Sequence, residues 1–130
     1  DIPDSIRFIQ FPPTALIGRH QALNQEIDVA YCESHGIGIA RRLTGGGAIY
    51  FDDKQLGWSL VFKRSSLGIT SLEELTRAIC EAAAAGLSAL GVDARYRPRN
   101  DIEVGGRKIS GTGGYFVGDT WFFQGTVLID

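Results

Sequence analysis

The sequence predicts an α+β fold: a mixed, largely antiparallel sheet with one long and one short helix packed on it. Three observations carry that expectation. Residues 71–91 repeat apolar side chains at helical spacing over a long run. The last third of the chain is divided by Gly105-Gly106 and Gly118-Asp119, two-residue turns of the kind that close antiparallel hairpins. Elsewhere the apolar runs are short and bounded by Pro, Gly and polar residues, as strands are.

Taken in order, Ser5 to Phe11 alternates in a strand-like way and Pro12-Pro13 ends it. Thr14 to Gly18 reads as a short buried strand and Arg19 to Gln25 as polar loop. Ile27 to His35 is expected to form the short helix, with Ile27, Ala30 and Tyr31 on its inner face and Gly36 as its stop. Gly38 to Arg42 and Ala48 to Phe51 are strands on either side of a glycine loop. Asp52 to Gln55 turns, and Leu56 to Phe62 alternates as another strand. After a connecting loop, Lys63 to Gly68, the long helix opens on Ser71 and Glu74 at capping-box spacing. Leu72, Leu75, Ile79, Ala82, Ala83, Leu87 and Leu90 form its expected buried stripe, and Gly91 stands where a left-handed residue ends a helix. Val92 to Tyr96, Asp101 to Val104, Arg107 to Ser110, Tyr115 to Val117 and Thr120 to Phe123 complete the strands.

Length and composition bound the function. With 130 residues, 44% of them hydrophobic and 22% charged, the chain is one globular domain with a real core. A net charge of −2 argues against a generic nucleic-acid binder, so any basic patch is local. No apolar run is long enough to span a membrane, and the first residues do not read as a charged-then-apolar signal segment. With 2 cysteines a disulfide framework is not expected, and the expected compartment is cytoplasmic. The chain has no methionine and its last residues are still strand-like, so it is expected to be part of a longer or processed protein.

Two stretches carry chemistry. In Arg41-Arg42-Leu43-Thr44-Gly45-Gly46-Gly47-Ala48-Ile49-Tyr50-Phe51-Asp52, two arginines precede three glycines. Glycine lets backbone N–H groups approach a ligand and form an anion-binding nest, and arginine donates to phosphate or carboxylate. The competing reading is an ordinary Gly-rich hairpin with exposed arginines. The second stretch runs from Arg95 to Gly111. It holds five basic residues (Arg95, Arg97, Arg99, Arg107, Lys108) and two acidic ones (Asp101, Glu103) in an acidic chain. Lys108 opens a Gly-punctuated strand, where an ammonium can bridge the oxygens of an anion. Asn100 and Asp101 offer an amide and a carboxylate able to orient a ligand or to hold Mg²⁺ beside phosphates. Neither stretch is a Walker loop or a dinucleotide fingerprint. Cys32 and His35 at helical spacing are more simply packing than a nucleophile and base. Cys80 reads as core filler and Trp121-Phe122-Phe123 as core or sheet surface. Two His and two Cys without paired spacing make zinc improbable.

Together these stretches resemble the lipoate–protein ligase A family, within the wider biotin and lipoate ligase fold. The resemblance rests on Arg41-Arg42 with Gly45-Gly46-Gly47-Ala48-Ile49-Tyr50 and Asp52. It rests also on Asn100-Asp101-Ile102 with Gly106-Arg107-Lys108-Ile109-Ser110-Gly111, and on Gly125-Thr126-Val127-Leu128. It implies ATP-dependent, AMP-forming activation of lipoate or octanoate to an acyl-adenylate, with Mg²⁺, and transfer of the acyl group to a lysine of a separate lipoyl domain. By position, Arg42 and Gly45, Gly46, Gly47, Ala48, Ile49 and Tyr50 would hold the nucleotide. Asn100 and Asp101 would position the adenylate or its magnesium, with Asp101 the candidate metal ligand. Lys108 would be catalytic, contacting acyl carbonyl and phosphate, and Gly46 and Gly111 would border the lipoyl group with it. Apolar strand residues such as Leu16 would line an acyl tunnel. The resemblance makes residues 1–130 a single catalytic domain lacking the family's leading helix and C-terminal accessory segment, which can sit on a partner subunit.

This chain departs from the family in three places. Phe51 and Gln124 stand where the family has histidines, and Lys54-Gln55 where it has Gly-Asn. Octanoyltransferases of the same fold use a cysteine ahead of the second stretch, and positions 91–99 contain none. Biotin–protein ligases share Asn-Asp-Ile and Lys-Ile-x-Gly but have a more arginine-rich loop. A non-catalytic carrier-binding domain is the remaining alternative.

Overall fold

The computed structural model describes residues 3–130. It contains, in chain order, β1 (Ser5–Ile9), β2 (Thr14–Ile17), α1 (Leu23–Glu26), α2 (Val29–Ser34), β3 (Gly38–Arg41), β4 (Ile49–Phe51) and β5 (Gln55–Lys63). Then follow α3 (Arg64–Leu67), α4 (Leu72–Ala89), β6 (Ala94–Arg97), β7 (Asp101–Val104), β8 (Arg107–Val117) and β9 (Thr120–Leu128). The α+β expectation holds, with strands divided between two sheets. A six-stranded antiparallel sheet has the order β1-β5-β9-β8-β7-β6, and a three-stranded sheet has the order β3-β2-β4, with β2 parallel to β3 and antiparallel to β4.

Helix α4 is built as its cap and period dictate. The Ser71 side chain accepts from the Glu74 N–H, and Gly91 (φ +90°) follows the last turn. Its buried residues are Leu75, Thr76, Ile79, Cys80 and Ala84, so the stripe is rotated from the expected one. Leu72 and Leu90 are exposed, and Ala84 takes the place given to Ala82. Leu75 and Ile79 pack on Trp58, Phe62, Trp121 and Phe123, which project from one face of β5 and β9. Cys80 and Ala84 meet Ala94 and Ile102 toward the β6 edge. Burial of a side chain such as Leu75 stabilises by about 1.5–3 kcal/mol.

Three local expectations are corrected. Helix α2 begins at Val29 because the Asp28 carboxylate accepts from the Tyr31 N–H. It buries Cys32 and leaves Tyr31 exposed, instead of burying Ile27, Ala30 and Tyr31. The polar connections before α2 and before α4 each wind into one short helix, α1 and α3. Arg107 to Val117 is one continuous strand through Gly111, Gly113 and Gly114, since β7 and β9 between them hold its backbone along its length. The Gly105-Gly106 and Gly118-Asp119 turns form as expected, each glycine having positive φ.

The glycine loop is not a hairpin. β3 and β4 both pair with β2, one on each side, so residues 42–48 cross over the end of β2. This places the loop over the large sheet, on the face away from α4.

Candidate active site

Strand alternation sends every second side chain of the large sheet away from α4. On that face Arg7, Ser59, Gln124 and Gly113 lie in register across β1, β5, β9 and β8, and Ile9, Gly57 and Thr126 form the next row. These residues form the floor of a cleft of about 840 Å³. The floor is low where Gly57, Ser59, Gly113 and Thr126 give it small side chains or none. A Cβ on Gly57 would lie 3.2 Å from the Ile9 carbonyl oxygen and 3.3 Å from the Phe51 ring. Glycines within a strand mark a close approach of another group, and here that group is the small sheet with its loop.

The loop's conformation is held by arginines. The Arg42 guanidinium donates through Nη1 to the Leu16 carbonyl (3.2 Å), through Nε and Nη2 to Gly45 (3.3 and 2.9 Å), and through Nη2 to Gly47 (2.7 Å). Burial pushes its pKa down. Four of its five N–H groups are thereby engaged, and one remains for a ligand. Arg41 Nη1 donates to the carbonyls of Gly18 (2.9 Å), Arg19 (3.2 Å) and Gln21 (2.7 Å), fixing the segment behind the loop. Gly46 has φ +98°, open to glycine, and its carbonyl oxygen occupies the space a Gly18 side chain would need.

Opposite the loop stands Lys108. Its ammonium pairs with Asp101 Oδ1 at 2.7 Å, while Asp101 Oδ2 accepts from Arg97 at 2.9 Å. Burial alone would raise the Asp101 carboxyl, but hydrogen bonds and charge from Lys108 and Arg97 outweigh it and hold it below the ordinary carboxylate range. The same bond to Asp101 holds Arg97 above its ordinary value. The Asn100 side-chain amide donates to the Thr112 carbonyl, and the Thr112 hydroxyl and N–H donate back to the Asn100 carbonyl, each at 2.9 Å. That exchange pins the mouth of β7 to β8.

Of the residues singled out in the sequence, Arg42, Gly45, Gly46, Gly47, Ala48, Ile49, Asn100, Lys108 and Gly111 line the one cleft. Leu16 lines it too, with Phe11 and Phe51 supplying apolar wall. Two are not brought in. Tyr50 is half exposed, and Asp101 reaches the cleft only through Lys108. Both Asp101 oxygens are occupied by cations, and among the described residues no cluster of three His, Cys, Asp or Glu is placed to hold a metal ion. Asp101 as arranged does not fit a magnesium ligand. Cys80 is core, its thiol 3.4 Å from the Thr112 hydroxyl and pushed to a higher pKa by burial. Neither Cys32 nor Cys80 lines the cleft.

The cleft is amphipathic. Arg7, Arg41, Arg42 and Lys108 line it and, among the described residues, no carboxylate does, while its apolar wall gathers around Phe11 and Phe51, whose rings meet edge to face at 5.0 Å. It therefore suits an anion joined to an apolar chain. Sequence reasoning missed Arg7, Ser59 and Gly113 as site residues, and noted Gln124 only as a departure from a family histidine. The available signal was glycine inside the strands at positions 57 and 113.

The family profile described as the lipoyl protein ligase A/B catalytic domain matches residues 1–130. The chain belongs to that family. It is 37% identical over 118 residues to the lipoate–protein ligase LplJ of Bacillus subtilis, a match covering 91% of this chain and 34% of LplJ. It is 34% identical over 105 residues to the octanoyltransferase LipM of Geobacillus kaustophilus, covering 78% of this chain and 37% of that one. Among solved structures, a bi-partite lipoate protein ligase from Thermoplasma acidophilum, described with its E2 lipoyl domain, superposes with a TM-score of 0.89 at 31% identity. That match covers 96% of this chain and 49% of the other. A lipoate–protein ligase A bound with ATP gives a TM-score of 0.86 at 30% identity over 96% of this chain and 53% of that one. The chain thus spans about a third of the curated relatives' length. Among the described residues no helix is long and apolar enough to cross a membrane.

Proposed function

We propose that this lipoyl ligase family domain binds ATP together with lipoate or octanoate and forms an acyl-adenylate, which a lysine of a lipoyl domain then discharges. In the first step the acyl carboxylate attacks the α-phosphorus, forming the mixed anhydride and releasing pyrophosphate. In the second the lysine amine attacks the acyl carbonyl, forming an amide and releasing AMP. The observation that carries this reading is that Lys108 and Gly45–Gly47 face one cleft whose lining, among the described residues, holds no carboxylate. An ammonium there offsets charge that builds on the phosphoryl oxygens, and its two remaining N–H groups are available beyond the bond to Asp101. Loop amides and the spare Arg42 N–H serve the adenylate phosphate, and the Phe11–Phe51 wall serves the acyl chain. The bi-partite relative, and the shares of the relatives that this chain spans, support completion of the activity by a further domain or subunit.

The test is to incubate the full-length protein with ATP and, separately, lipoate, octanoate or biotin, then identify the bound species by mass spectrometry. A lipoyl- or octanoyl-adenylate is the expected product; recovery of neither rejects the reading. Octanoyl transfer through a thioester is the second reading, raised by LipM. The absence of a cysteine from the cleft lining weighs against it, and an acyl adduct on Cys32 or Cys80 would reinstate it.

A further inference from the structure

Gln124 stands on the cleft floor, and its Nε2 donates to the Thr44 hydroxyl at 2.7 Å, joining β9 of the large sheet to the root of the glycine loop. Thr44 is buried, with 5% of its surface exposed. Its carbonyl accepts from the Arg19 N–H at 2.9 Å, which ties the same residue to the turn that follows β2. Its Cβ comes down to 4.0 Å from where a Gly113 side chain would begin, so Gly113 leaves the space in which Thr44 sits. The loop therefore has two anchors of different origin. Arg42 gathers its glycine carbonyls from within the small sheet, and Gln124 fixes its height above the floor.

We infer that Gln124 is a positioning residue: through Thr44 it sets the distance between the glycine-loop amides and the large sheet, whose strand β8 carries Lys108, and so tunes affinity for the nucleotide portion of the ligand. The physical reason is that Thr44 immediately precedes Gly45, so movement of its side chain is passed directly to the amides that face a phosphate. Three glycines provide no side-chain contacts of their own to resist that movement. The acyl portion lies against Phe11 and Phe51, outside the reach of this contact. The latch should separate nucleotide affinity from acyl affinity.

The inference rests on the adenylate reading, and the test distinguishes the two. In the full-length protein, binding of a non-hydrolysable lipoyl-sulfamoyl-adenosine and of free lipoate is measured by calorimetry for wild type, Gln124→Leu, Thr44→Val, the double variant and Thr44→Ser. Hydrogen exchange of the Gly45–Gly47 amides is followed in the ligand-free proteins. Loss of one neutral hydrogen bond corresponds to roughly fivefold to tenfold. Gln124→Leu and Thr44→Val are each expected to weaken the adenylate mimic by that factor and speed loop exchange, with lipoate affinity unchanged. The double variant should be no worse than the poorer single one, and Thr44→Ser should retain affinity. Unchanged loop exchange in Gln124→Leu, equal loss of lipoate and mimic affinity, or additive losses in the double variant would overturn the latch. If the wild-type protein binds no mimic, the adenylate reading fails, and the exchange result alone decides whether Gln124 orders the loop.

Discussion

Lys108 lies across Gly111: a Cβ at position 111 would be 3.2 Å from both Cε and Nζ of the lysine. The absence of a side chain on β8 is what lets the ammonium fold down toward Asp101 and the cleft. Gly111→Ala should therefore act on chemistry and not on folding. The lysine's flexible end can shift by a few tenths of an ångström, and alanine stabilises a compatible position by about 0.4–1 kcal/mol. Adenylate formation should fall roughly tenfold with an unchanged or slightly raised melting temperature, since small misplacements of reacting groups are costly. Full activity in Gly111→Ala would show that the seat of Lys108 is unimportant.

Lys108→Ala removes the ammonium itself. Asp101 keeps its bond to Arg97, so no carboxylate is stranded, and Lys108 is half exposed. Stability should change by no more than about 1 kcal/mol. Pyrophosphate release should drop by roughly 10²–10³-fold, the scale of a lost charge-stabilising donor. A pyrophosphate assay beside a urea titration checks both halves.

The Asp101 network also predicts an acid limb. Its folded-state carboxyl titrates below the ordinary value, so the ion pairs stabilise the fold above the unfolded carboxylate range. That contribution is lost as pH falls through the range to the folded value. Melting temperature measured between about pH 5 and pH 2 should fall less steeply for Asp101→Asn than for the native chain. Identical slopes would mean that the pairing with Lys108 and Arg97 adds nothing in solution.

Arg42→Lys tests the loop from its other side. One ammonium cannot reach Leu16, Gly45 and Gly47 together as the guanidinium fork does. Loss of about 2–3 kcal/mol of stability is expected, with weakened nucleotide binding. A variant as stable as the parent by urea unfolding would mean that the glycine loop holds its shape without the fork.

Much of this was legible in the chain itself. Ser71, Glu74 and Gly91 mark the ends of α4 because caps are local chemistry. Gly105-Gly106 marks a hairpin for the same reason. The less legible features depend on partners distant in sequence. Nothing near Gly111 announces that β8 continues through it, because the strand is held by β7 on one side and β9 on the other. The sequence marks Gln124 only as a departure from the family's histidine; its bond to Thr44, eighty positions earlier, appears when the two are folded together.

The amino-acid order alone determined the α+β class, the ends of α4, the two glycine turns, and the two stretches that carry the cations, since caps, periodicity and glycine's freedom act over a few neighbouring residues. Only the tertiary structure decided that the glycine loop crosses β2 instead of closing a hairpin. It also decided that Arg42 spends most of its donors on that loop, and that Lys108, Gly47 and Phe51 share one cleft. Those outcomes follow from which strands pair and which face each side chain takes, and such long-range choices are settled by the packing of the whole chain.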